Sequence, residues 1–327
     1  MRRYLGAGLA LVVAWIVPAA TANAANADRL LQKFQPVTYF AQGEAVRPTT
    51  VDTFIADSNL ERFVPPLGTW VPVDTHPTPE SLPTSGAGWR LNQRYCSSTG
   101  GSAAAECYAA AWGAHDAPST VYGRVARLET RTVLQYWFFY YDDFYPYDPN
   151  APDFIWQAHE GDWEVVNVVL SRRDDEPLYV GYSQHCLGQT RTWSETPRWR
   201  GHHPIVYVAL GSHANYFAPG EYVFREACLP APILAFFQQA GLALPQDHVG
   251  TAASAGPGSL GSENTDVVRV TEGTPGWTAF PGNWGELEYV HGPPPVGTQV
   301  LGQSPVGPAF HAVWADPLGT LASWPDG

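Results

Sequence analysis

Apolar positions along this chain come in short runs separated by polar, Gly- and Pro-containing breaks. Residues 132–141, Thr-Val-Leu-Gln-Tyr-Trp-Phe-Phe-Tyr-Tyr, are β-branched and aromatic and predict a strand that ends at Asp142 and Asp143. Residues 164–171, 178–183 and 204–210 predict three more strands, and residues 119–128 alternate enough to predict another. Residues 35–40 and 50–55 flank a polar turn, whereas residues 60–73, broken by Pro65, Pro66 and Gly68, read as irregular. Helical periodicity is sparse. Its best example is residues 231–241, opened by Pro230 and Pro232 and closed by Gly241. The pattern predicts an all-β protein, an antiparallel, jelly-roll-like β-sandwich with long loops and one or two short helices.

Three segments stand apart from that pattern. Residues 81–117 are rich in Pro, Gly, Ser and Ala and read as a long surface excursion. Residues 251–262 are small and Gly-rich and read as a flexible loop or lid. A domain boundary could fall there, but the tail from Val267 has too few strands for a second core. Trp277, Trp284 and Trp314 are therefore expected to pack back on the main body, giving one sandwich domain over residues 28–327 with a loop-rich C-terminal extension from about residue 246. Residues 1–27 read as a secretory signal: Arg2 and Arg3 precede an apolar run and a small-residue cleavage site. That run is shorter than the ~20 residues a spanning helix needs, and Pro18 breaks it. The expected product is exported and soluble, with no transmembrane segment.

Composition sharpens this picture. The 31 Gly and 30 Pro suit turns between many short strands. The formal charge of −13 becomes −15 once the two signal arginines are removed, which argues against a nucleic-acid partner because such binding needs clustered Lys and Arg. Cys96, Cys107, Cys186 and Cys228 form an even set in an exported chain, so two disulfides are expected; pairing Cys96 with Cys107 and Cys186 with Cys228 is the most economical of three possibilities.

The candidate chemistry centres on residues 159–164, His-Glu-Gly-Asp-Trp-Glu, at the entry to an apolar strand. Side chains two apart in a strand share a face, so Asp162 and Glu164 are expected to point together and Trp163 the other way. His159, in the Gly-containing turn, can fold back toward them. Asp142 and Asp143 end the preceding strand, so an antiparallel pair brings these acids to one edge. His185 and His213 close other strands at similar positions. Crowded carboxylates repel, and a divalent cation reverses that penalty; a mostly oxygen donor set suits calcium or magnesium, with manganese or zinc as alternatives. Exposed strand residues without an ion are the competing reading. Ser183 and Ser212 lie near histidines but lack a nucleophile elbow. A carboxylate-pair glycosidase needs its acids only ~5 to 10 Å apart, which spacing does not fix. His202 and His203 read as a surface turn.

Four ordered motifs carry a resemblance: residues 134–139, 159–164, 182–185 (Tyr-Ser-Gln-His) and 207–214 (Tyr-Val-Ala-Leu-Gly-Ser-His-Ala). Together they resemble the vacuolar protein sorting-associated protein 62 family over roughly residues 35–224, with residues 283–286 as a weaker element. The same core is similar to the necrosis-inducing protein family, whose heptapeptide ends in His-x-x-Asp-Trp-Glu. That resemblance implies a secreted β-sandwich holding calcium or magnesium and binding sphingolipid sugar headgroups. It further implies that His159, Asp162 and Glu164 are direct or water-mediated ligands, with Asp142 the strand-end acid and His213 a distal imidazole. Asp143, His185, Tyr136 and Trp156 are expected around them, the aromatics stacking beside a ligand. The chain departs from the heptapeptide at Ala158, Glu160 and Gly161. The expected function is cation-dependent binding of a glycan or lipid headgroup; the alternatives are a metal-dependent hydrolase of envelope glycans or esters, and an envelope protein that the metal only stabilises.

Overall fold

The computed structural model describes residues 19–115, 117–250 and 266–327. The proposed lid at residues 251–262 and most of the signal lie outside them. The chain opens with helix α1 (Ala19–Lys33), whose Leu30 and Leu31 enter the core, followed by β1 (Val37–Phe40). Residues expected to flank a turn beyond β1 instead form α2 (Val51–Asp57): Thr50 caps it by accepting from the Asp52 N–H, and Asp52 suits the positive helix end. The stretch read as irregular is a hairpin, β2 (Ser58–Val64) with β3 (Thr69–Asp74), in which Pro65, Pro66 and Gly68 make the turn.

The expected excursion at residues 81–117 is also ordered. It contains β4 (Trp89–Gln93), paired to β2, and α3 (Ser102–Gly113). Alanine, which reads as loop filler beside Gly and Ser, is the strongest helix former, and α3 buries Ala104 and Tyr108.

The body of the fold is β5 (Thr120–Arg127), β6 (Arg131–Pro146), β7 (Trp156–Ser171), β8 (Pro177–Gln184) and β9 (Leu187–Thr192), antiparallel neighbours in sequence order. Both long strands overrun their expected limits: β6 continues through Asp142 and Asp143, and β7 starts before His159, so neither motif sits in a turn. The unbroken apolar middle of β6 is buried on both faces, as such a run requires. Next come β10 (Arg198–Trp199), β11 (His203–Val208), β12 (Asn215–Tyr216), β13 (Gly220–Val223), helix α4 (Ala231–Ala240) as expected, and β14 (Gln246–Val249).

Residues 266–327 contribute β15 (Asp266–Arg269), β16 (Asn283–Trp284), β17 (Leu287–Gly292), β18 (Gly297–Gln303), α5 (Ala312–Ala315) and α6 (Pro317–Ser323). This tail is woven into the sheets. β15, β17 and β18 belong to the eight-stranded sheet, in the order β15-β5-β6-β7-β17-β18 with β8 and β9 branching from β7, and β16 pairs β4. Trp277 and Trp284 close around Trp163 at ring distances of 5.7 and 5.3 Å, and Trp314 packs on Trp137.

The result is a mostly β protein of several sheets. It differs from the antiparallel expectation in three parallel pairs, β1 with β11, β5 with β15 and β4 with β16, and it has more helices than expected. Parallel partners far apart in sequence leave no mark on local alternation. No described helix is long and apolar enough to cross a membrane.

Both disulfides take the economical pairing, Cys96 with Cys107 and Cys186 with Cys228. They close loops of 11 and 42 residues, which the chain-entropy relation converts to about 3 and about 4 kcal/mol. Urea unfolding with and without reductant is expected to show a larger loss for a Cys186→Ser/Cys228→Ser variant than for Cys96→Ser/Cys107→Ser.

Candidate metal centre

The edge of β7 that faces away from β6 serves two partners. Residues 156–158 pair with β17, and residues 166–170 pair with β8. Between them the ladder opens over residues 159–165, and the polar motif occupies that opening. Ser183 of β8 fills part of it, its hydroxyl oxygen accepting from the Val165 N–H at 2.8 Å.

Gly161 sets the direction of the side chains there. Its φ is +56°, so the strand reverses its alternation at that residue. Glu160 consequently faces α3 and β4, accepting from Tyr108 Oη, the Gln93 N–H and the Glu286 N–H. His159, Asp162 and Glu164 face the opposite side, while Trp163 enters the aromatic core. A Cβ on Gly161 would lie 2.1 Å from the Trp284 carbonyl oxygen. The Gly161 carbonyl accepts from His159 Nδ1 at 3.0 Å, which leaves Nε2 toward the site.

On β6, Asp143 pairs in register with His159. One donor atom from each of Asp143, His159 and Asp162 lies within 4.8 Å of the others, the one such group of three or more among the described residues. Asp143 Oδ1 is buried and accepts no hydrogen bond. An orphaned carboxylate oxygen beside two further donors fits a cation better than a hydrogen-bonded network.

The other expected site residues surround this triad. His213 donates from Nδ1 to Asp162 Oδ2 at 3.1 Å and stacks on Tyr140 at 3.8 Å. Glu164 accepts from Ser183 Oγ and from Asn215 Nδ2 at 3.1 Å. Asp142 is not part of the triad and lines a neighbouring cavity with Glu44 and His213. His185 donates to Asp247 Oδ2 at 2.5 Å, and Asp247 also accepts from Ser212 Oγ and Tyr216 Oη. Both His185 and His213 hold positive φ, 49° and 53°, conformations uncommon outside glycine.

Two expected aromatics do not line the site. Tyr136 is in the core with its hydroxyl donating to the Leu31 carbonyl, and Trp156 stacks on His291. A strand buried on both faces has no exposed side from which such rings can meet a ligand. Glu44 and Asp247, which complete the buried cluster, carry no sequence signal: one sits in a polar turn and the other in a four-residue strand.

The electrostatics follow from burial. Burial pushes Asp143 up to about 7, with Asp162 adding to the shift and His159 opposing it. Burial, then the charge of Asp162, holds Glu164 well above the usual carboxylate range, and burial raises Asp142 likewise. Burial disfavours the charged form of His213, but Glu44 and Asp162 outweigh it and hold the imidazole well above its ordinary value. His159 is raised in the same sense by Asp143 and Asp162, against burial. A cation among these groups reverses the carboxylate shifts and expels the His159 proton.

No protein-family model matches the chain, and no curated protein matches it. Several solved structures are similar to it. One is necrosis and ethylene inducing protein 2 from the causal agent of cocoa's witches' broom disease, at 17% identity over 57% of this chain and 66% of that one, just under two thirds, with a TM-score of 0.31. Another is NLPPya in complex with mannosamine, at 13% identity over 70% and 74% of the two chains and a TM-score of 0.34. A third, described as a toxin fold for microbial attack and plant defense, matches at 13% identity over 73% and 77% with a TM-score of 0.36. These solved structures are of the necrosis-inducing kind, whereas the resemblance to the vacuolar protein sorting-associated protein 62 family finds no support.

Proposed function

We propose that this is an exported protein that holds one divalent cation at Asp143, His159 and Asp162 and uses the cation's remaining positions to bind a glycan or glycolipid headgroup. The observation that carries this reading is the convergence of those three donors around a buried oxygen without a partner. Calcium or magnesium takes six or more oxygen-rich ligands, so three protein donors leave room for water or for ligand hydroxyls. One imidazole among carboxylates favours these ions and manganese over zinc. His213 donates to Asp162 and holds it in place, while Glu164, fixed by Ser183 and Asn215, adds a further acidic group beside it. Two disulfides support an oxidising, extracellular setting.

Binding should depend on pH in a defined direction. Asp143 is protonated below about 7 in the cation-free protein, and Asp143 and Asp162 raise the His159 imidazole above its ordinary value against burial. A carboxylate raised in this way is easiest to keep buried when neutral, so the cation-free fold loses stability as pH rises from about 4 to about 7. Over that window the cation competes with fewer protons. Calorimetric titration with calcium is expected to show affinity rising from about pH 5.5 to about pH 8, with net proton release.

The ligand half of the proposal is tested by sedimentation with vesicles that carry sugar-headgroup lipids, against plain phosphatidylcholine vesicles. Saturable binding in calcium that disappears in chelator and in Asp162→Asn is expected; binding indifferent to both contradicts it. A hydrolase reading draws on His185, which Asp247 orients beside the triad. Turnover of envelope glycans or esters by the wild type, absent in Asp162→Asn, would replace simple binding with that reading.

A further inference from the structure

Beside the triad, across His213, a cavity of about 150 Å³ opens between the loop after β1, the end of β6 and the loop after β11. Its walls include Val46, Phe144 and Leu210, and its floor is Glu44, Asp142 and His213. Glu44 is fixed there: it accepts from the Val46 N–H at 2.9 Å and from the Gly211 N–H at 2.7 Å. Gly211 holds φ +75°, and a Cβ on it would lie 2.0 Å from the Phe144 carbonyl oxygen, so the loop closes on the strand only with glycine. His213 Nε2 lies 3.7 Å from Glu44 Oε2, beyond hydrogen-bond reach.

Asp142 is the telling residue. It is only 4% exposed, and its Oδ1 is buried without any hydrogen-bond partner. Burying an acceptor without a partner is unfavourable by roughly 1–3 kcal/mol, and this one lines a cavity with room for about five water-sized groups. The floor offers two carboxylates against one imidazole beneath apolar walls. Its donor atoms are not among those gathered closely enough to cage a metal. A ligand that satisfies both features carries a positive, hydrogen-donating head on a short apolar body.

We infer that this cavity is a second ligand site, beside the cation triad and joined to it through His213, that takes a small primary alkylammonium group with its nitrogen donating to Asp142 and its chain against Val46, Phe144 and Leu210. Neither Glu44 nor Asp142 belongs to the triad, and the shared neighbour is His213, which lines the cavity and donates to Asp162.

The test uses the full chain, saturated with calcium, and n-butylammonium chloride as probe, with n-butanol as the neutral isostere, followed by ligand-observed NMR. Saturable binding of butylammonium is expected, with butanol at least about tenfold weaker, because a charged hydrogen bond is lost. Asp142→Asn is expected to weaken butylammonium by a similar factor. Ala105→Trp, which fills the cavity from α3 without touching its floor, should abolish binding and leave calcium uptake unchanged. Equal binding of butanol, an Ala105→Trp variant that binds as the wild type does, or no saturable binding of butylammonium would overturn the inference. Calcium uptake, read in the same samples, reports separately on the triad.

Discussion

Gly161→Ala is expected to be among the most damaging single-methyl changes this chain can suffer. The residue holds φ +56°, which disfavours any L side chain by ~1–2 kcal/mol. The added methyl would also sit 2.1 Å from the Trp284 carbonyl oxygen, where neither backbone can yield without opening the aromatic core around Trp163, Trp277 and Trp284. Overpacking of this kind adds ~1–3 kcal/mol or more, so the sum approaches about 4 kcal/mol, a large part of the stability of an ordinary domain. Gly241→Ala makes the matched control. Gly241 has φ +64°, and a methyl added to it would meet nothing within 4 Å, so it suffers only the conformational part. Urea unfolding should place Gly161→Ala far below Gly241→Ala; equal losses would mean that β7 does not approach Trp284 as described.

Asp162→Asn is expected to lower divalent-cation affinity at least about a hundredfold, because it removes a charged donor from a site with only three protein ligands. The carboxamide keeps an oxygen for the His213 hydrogen bond, so the fold should survive. Without cation, the variant should melt near the wild type; with saturating calcium, only the wild type should gain stability, following RT ln(1 + [L]/Kd). Calcium stabilising both proteins equally would place the ion elsewhere.

Much of this is legible in the residues. The β6 run and the strand after residue 164 identify the central hairpin, and the alternation from Asp162 to Glu164 places Trp163 in the core and both acids on the other side. Gly161 is visible too, but as a turn residue. Its actual role, reversing the alternation inside a continuous strand so that His159 joins Asp162, depends on the approach of Trp284 from more than a hundred residues away. The same limit applies to Asp142 and Asp143: adjacent acids necessarily diverge, and only tertiary packing decides which faces His159. Glu44 and Asp247 reach the cluster through loop geometry and a short edge strand, neither of which produces a periodic pattern. The alanine-rich α3 escapes a sequence reading for the opposite reason, since its composition fits both a loop and a helix and its burial against β6 settles the matter.

Manganese titration of the purified, chelator-stripped protein, followed by pulsed electron paramagnetic resonance, bears most directly on the cation centre. One equivalent of Mn²⁺ per chain is predicted, with the modulation of a single coordinated imidazole nitrogen that vanishes in His159→Asn. No tight equivalent, or one whose nitrogen signal survives that substitution, would contradict a metal held by Asp143, His159 and Asp162.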